Sequence, residues 1–180
     1  MAHGGHCGGS HYSHSRYSGG GGSIPTPVLV IAILIAIGIA IISHNSYTGK
    51  KPLEGSFSKY PQYLIDKEEY FHNSKDLVEG LTYLHEKTNV QVVVMSSDKS
   101  WSDSKAVDEY YKLFDDEAHI LIIVPTAWYS NTTYYAIGDL ADTVISDSGI
   151  KHIIDKIDES KNGEKWKKEL IKFTDLILEE

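Results

Sequence analysis

Residues 76–95, DLVEGLTYLHEKTNVQVVVM, decide the fold because their hydrophobic period changes once along the way. Leu77, Leu81 and Leu84 recur at intervals of four and three, which puts them on one face of a helix. Asn73-Ser74 just upstream offers that helix a start. After Thr88-Asn89 the pattern becomes Val90–Met95, a short β-branched run expected of a buried strand. A second such run, Ile120–Val124, is bounded by Pro125. Between the two, a helix beginning near Ser102 or Asp103 carries Val107, Tyr110, Tyr111 and Phe114 on its apolar side and closes at Asp115-Asp116-Glu117.

Working outward, Tyr63–Asp66 reads as a first strand or turn and Tyr134–Ile137 as a third strand. Gly138-Asp139 turns the chain into a helix near 140–145. Another helix, from Gly149, carries Ile150, Ile153, Ile154 and Ile157. Beyond the Asn162-Gly163 break, Trp166, Leu170, Phe173, Leu176 and Ile177 mark a last amphipathic helix. Near-continuous apolar strands separated by helices imply a layered α/β domain over 63–180 whose sheet is covered on both faces. No internal repeat is visible.

Upstream lies IPTPVLVIAILIAIGIAIIS, residues 24–43, almost wholly apolar and without charge; no Asp, Glu, Lys or Arg falls between Arg16 and Lys50. About twenty such residues suffice to cross roughly 30 Å of hydrocarbon as a helix. Pro25 and Pro27 stand at the start, where a missing amide donor costs least. A secretory signal would have a basic leader and a shorter core, so the run reads as a retained single-pass transmembrane helix. The small residues Ala36, Gly38 and Ala40 form no clean GxxxG and read as lipid-facing.

The chain falls into four parts: a tail (1–23), the transmembrane helix (24–43), a linker rich in Gly, Pro and Ser (44–62) and the domain (63–180). The tail, MAHGGHCGGSHYSHSRYSGGGGS, is low-complexity sequence that cannot bury enough surface to fold and reads as disordered. Its His3, His6, Cys7, His11 and His14 are spaced so that they can wrap a borderline metal such as Zn or Cu. Cys7 is the one cysteine, so no internal disulfide is possible. Of 17 basic and 25 acidic residues only Arg16 precedes the run, so the domain is acidic. That excludes nucleic acid as a natural partner and suits divalent cations or plain solubility. Lys50, Lys51 and Lys59 after the run favour a cytoplasmic domain by the positive-inside rule.

Four stretches together resemble the TPM domain family: LIDKEEY (64–70), the helix and valine strand of 76–95, YYKLFDDEAHILIIV (110–124) and YYAIGDLADTVISDSGIKHIIDKI (134–157). The resemblance as a whole extends from Tyr63 to about Lys172. The chain departs from the family in having a single glycine, Gly138, where two are common, and Ala118-His119 before the central strand. The resemblance implies a three-layer α/β/α sandwich tethered to a bacterial cell membrane by one helix, with the domain outside the cytoplasm. It also implies calcium binding, weak acid phosphatase activity, or an accessory role toward a membrane-protein partner.

The carboxylates best placed for a hard cation such as Ca²⁺ are Asp115, Asp116 and Glu117 before the central strand, and Asp139 and Asp142 after the third. The same residues also suit helix N-termini and solvated turns. Asp98 and Asp147 are lesser candidates. Trp128, Tyr129, Tyr134 and Tyr135 gather around a polar loop that holds the sequon Asn131-Thr132-Thr133. No GxSxG, HExxH, P-loop or CxxC motif occurs. The expectation is a membrane-anchored interaction module, with a metal-dependent phosphatase or a metal-handling tail as alternatives.

Overall fold

The two valine- and isoleucine-rich runs lie side by side as β3 (Gln91–Ser97) and β4 (His119–Pro125), paired in parallel with Val92 opposite Ile120 and Val94 opposite Ile122. Their lack of polar alternation has a direct cause. Val92, Val94, Ile120, Ile122 and Val124 pack into one apolar cluster, while Val93, Met95, Leu121 and Ile123 pack into another on the opposite face. This computed structural model describes residues 2–7, 48–127, 132–157 and 160–179. The transmembrane reading of 24–43, most of the tail, and Trp128, Tyr129 and Asn131 lie outside the described residues. Among the described residues no helix is long and apolar enough to cross a membrane.

The first face is covered by three helices, α1 (Ser74–Thr88), α4 (Asp147–Ile157) and α5 (Gly163–Leu178). Leu77, Leu81 and Leu84 of α1 are fully buried, each contributing about 1.5–3 kcal/mol by leaving water. The helix ends at Asn89, whose left-handed backbone (φ 58) returns its amide to the His85 carbonyl. At the other end Asn73 is also left-handed and caps nothing with its side chain. α1 and α5 approach closely at Gly80, where a β-carbon would lie 2.7 Å from Lys167 Cα. α5 is capped by Asn162, whose Oδ1 accepts the Glu164 amide at 3.0 Å. The second face is covered by α2 (Asp103–Leu113), whose Ala106 and Tyr110 are buried with Phe114.

Two shorter strands, β2 (Leu64–Ile65) and β5 (Thr133–Ile137), and an N-terminal strand, β1 (His3–Cys7), complete a five-stranded mixed sheet in the order β1-β5-β4-β3-β2. β2, β3 and β4 are parallel, and β5 runs antiparallel to both β4 and β1. β2 reaches β3 through α1, and β3 reaches β4 through α2. Both steps move the same way across the sheet, yet their helices lie on opposite faces. The two crossovers are therefore of opposite hand, and one departs from the right-handed rule. A one-turn helix, α3 (Asp139–Asp142), follows β5.

Two segments differ from the sequence expectation. Residues 3–7, read as part of an unstructured tail, pair with β5 from His3 opposite Ile137 to Cys7 opposite Thr133. Their own composition cannot drive folding, but an existing sheet edge supplies the partners for their amides and carbonyls. The linker is laced onto the domain from residue 49 onward. Gly49 and Lys50 donate their amides to Glu179 and Ile177, and Leu53 donates to Thr88. The Asn89 side chain donates to the Leu53 and Gly55 carbonyls. The buried Gln91 accepts the Tyr60 amide at 2.8 Å and donates to its carbonyl at 2.9 Å, as a neighbouring strand would.

Candidate functional site

The turns that carry the sequence-selected carboxylates meet at one end of the sheet, where the chain enters β4 and leaves β5. The Gly138 amide donates to the His119 carbonyl and the Ala141 amide to Glu117, so the turns before β4 and after β5 are bound to each other. Within this edge most of the carboxylates already serve the backbone. Asp116 accepts the Ser58 amide at 2.7 Å and the Ala118 amide at 3.0 Å. Glu117 accepts the Tyr111 hydroxyl at 3.2 Å and the Asp139 amide at 3.3 Å. Asp142 accepts the Asp147 amide at 3.2 Å and lies 4.0 Å from His3 Nε2. Asp115 and Asp139 are exposed. Among the described residues no group of three or more His, Cys, Asp or Glu side chains is placed to hold a metal ion.

His119 stands behind Asp116, almost wholly buried and stacked on Phe114 with ring centroids 4.4 Å apart. Its Nδ1 is 2.8 Å from Asp116 Oδ1, and its Nε2 has no hydrogen-bond partner among the described residues. Burial pushes the Asp116 carboxyl up, but the Ala118 and Ser58 amides and the imidazole together outweigh burial and hold it below the usual carboxylate range. Tyr110 donates its hydroxyl to the Asp116 carbonyl at 2.9 Å, and burial drives that phenol far above its ordinary value.

The opposite edge, at the C-terminal ends of β2 and β3, forms a crevice of about 440 Å³ walled by Tyr60, Ile65, Met95, Trp101 and the charged Lys67 and Glu68. Open α/β sheets bind ligands at this edge. Asp66 organises it. Its Oδ1 accepts the Tyr70 amide at 2.9 Å and the Ser96 hydroxyl at 2.6 Å, and its Oδ2 accepts the Phe71 amide at 2.9 Å. The turn that aims those amides inward passes through Glu69 in the left-handed region (φ 51). Ser97 holds the next loop, accepting Trp101 Nε1 at 2.9 Å. Sequence reasoning singled out only Asp98 on this wall. The missed signal was positional: Asp66 follows a strand, and Ser96-Ser97-Asp98 ends one.

Burial pushes the Asp66 carboxyl up, while the Phe71 amide, the Ser96 hydroxyl and two further amides pull it down further, leaving it lowered. The folded state thus binds its proton less readily than the unfolded chain. The resulting stability is present above the unfolded carboxylate range, around pH 4, and is lost as pH falls through the lower folded value. Asp66→Ala leaves two amides and the Ser96 hydroxyl without their acceptor. It is expected to cost about 2–4 kcal/mol at pH 7 and to flatten the acid limb of stability, both read from urea melts between pH 2 and 7.

No protein-family model matches the chain, and no curated protein sequence does. Among solved structures the chain is similar to the N-terminal domain of the cg2496 protein from Corynebacterium glutamicum, determined by solution NMR. The two share 9% sequence identity over 72% of this chain and 86% of that one, with a TM-score of 0.49.

Proposed function

We propose that the chain is a single-pass bacterial membrane protein whose domain, a TPM-like three-layer α/β/α sandwich, works outside the cytoplasm as an accessory module on a membrane-protein partner. The observation that carries this reading is the uncharged apolar run 24–43, long enough for one crossing. It precedes a domain whose open sheet edge ends in a crevice and whose sequence holds no nucleophile motif. Ca²⁺ is the ion the acidic edge suits by chemistry, but Asp116, Glu117 and Asp142 give oxygens to backbone amides. The reading therefore places function in protein contact rather than in metal-assisted phosphate hydrolysis.

The test is alkaline carbonate extraction of membranes that hold the full chain, beside a chain lacking residues 24–43. Retention of the first and release of the second is the expected result. Release of both overturns the anchor. Crosslinking at Lys67 in the retained chain then identifies the partner.

A further inference from the structure

The described strand β1 has a consequence for any chain that crosses a membrane once. Residues 3–7 and the domain belong to one compact unit, joined by direct pairing of β1 with β5. A single crossing by 24–43 puts its two flanks on opposite sides of the bilayer. Residues 3–7 then cannot reach β5. Resting on the anchor reading above, we propose that crossing and β1 exclude each other, and that the anchored chain presents the β5 edge as a docking slot for an extended Gly-Gly segment of a partner protein.

The occupant is specified by what fills the slot. β5 without β1 exposes a row of unpaired amides and carbonyls that an extended peptide satisfies. Gly4 and Gly5, opposite Ala136 and Tyr135, are the selective positions. A β-carbon at Gly4 would lie 2.8 Å from the Asp103 carbonyl oxygen and 3.0 Å from Val107 Cγ2, against the first turn of α2. One at Gly5 would lie 2.3 Å from the Tyr135 hydroxyl and 2.5 Å from Cζ. That ring cannot step aside freely: it is fully buried, and its hydroxyl donates to Asp147 Oδ1 at 2.6 Å. α2 on one face and Tyr135 on the other thus admit two consecutive glycines and reject side chains. A polar contact sits at the slot's end, where the Ala2 amide donates to the Tyr111 hydroxyl.

The experiment uses the full chain in liposomes, with outward-facing domains recognised by their cleavage with added trypsin. The sidedness of Cys7, the one thiol, is read with a membrane-impermeant maleimide. A fluorescent peptide of residues 2–7 carrying Cys7→Ser is then titrated onto the vesicles, beside the same peptide carrying Gly5→Val. The expected result is a shielded Cys7, saturable binding of the first peptide, and binding of the second weaker by about tenfold or more. Extraction of the chain by carbonate would overturn the anchor reading itself. A retained chain with Cys7 reactive on the domain's side would overturn the exclusion. A shielded Cys7 with no saturable binding, or with equal binding of both peptides, would overturn the slot.

Discussion

Gly138→Val is expected to remove about 4 kcal/mol or more of stability, most of what a domain at the low end of ordinary stability possesses. Any β-carbon at this position would stand 2.3 Å from the Glu117 carbonyl oxygen and 2.3 Å from the Tyr110 hydroxyl, with the Glu117 carbonyl carbon at 2.7 Å. The usual reason for glycine does not apply, since φ here is −73°. Space is the reason. Glu117 is fixed because its carbonyl accepts the Ala141 amide, and Tyr110 is fixed because its hydroxyl donates to Asp116. Relief requires the turns before β4 and after β5 to part, which breaks the Gly138–His119 hydrogen bond as well. Urea denaturation followed by tryptophan fluorescence reads the loss. A fall of less than about 1 kcal/mol would show that these turns yield easily.

The second large effect separates a structural carboxylate from a metal ligand at the same edge. Asp116→Ala strips acceptors from the Ser58 and Ala118 amides and leaves the buried His119 beside no carboxylate. A cost of about 3 kcal/mol is expected without any metal present. Asp115→Ala, next to it and exposed, is expected to cost under about 0.5 kcal/mol. Thermal melts in EDTA and in millimolar Ca²⁺ check both. A Ca²⁺-dependent rise in Tm that both substitutions abolish would establish the edge as a cation site. Because the Asp116 carboxyl is held below its ordinary range, its contribution is present near neutrality and disappears below about pH 4.

The helices and central strands were legible because their signals are local. The leucine stripe became α1, the valine run became β3, and ILIIV lies within β4, each within a residue or two of expectation. Two features were not legible, for a common reason. Gly4-Gly5 and the 49–62 segment have no hydrophobic period of their own, and their structure is lent by partners more than a hundred, or some thirty, residues away. No window of sequence contains both halves of such a pair. The antiparallel direction of β5 was equally invisible, since direction follows from the connection that precedes it. The turns that carry the candidate carboxylates, before β4 and after β5, are hydrogen-bonded to each other. Their residue types do not reveal their backbone partners: Asp116, Glu117 and Asp142 each accept an amide, from Ala118, Asp139 and Asp147 respectively. The crevice around Asp66 needed the parallel alignment of β2 and β3 to exist at all.

The pairing of β1 with β5 also sets an order of events during synthesis. The first strand leaves the ribosome well before Thr133–Ile137, the strand it needs, and the run 24–43 emerges in between. At about 5–20 residues per second, some 90 residues separate the end of that run from β5, or roughly 5–20 s. On the proposed anchor, a membrane that took up the run within that interval would meet no sheet edge able to hold residues 3–7 back. Under that proposal, timing would decide between a closed edge and an anchored chain. A slower insertion machinery, or a later encounter with the bilayer, would shift newly made molecules toward the closed form without any change in sequence.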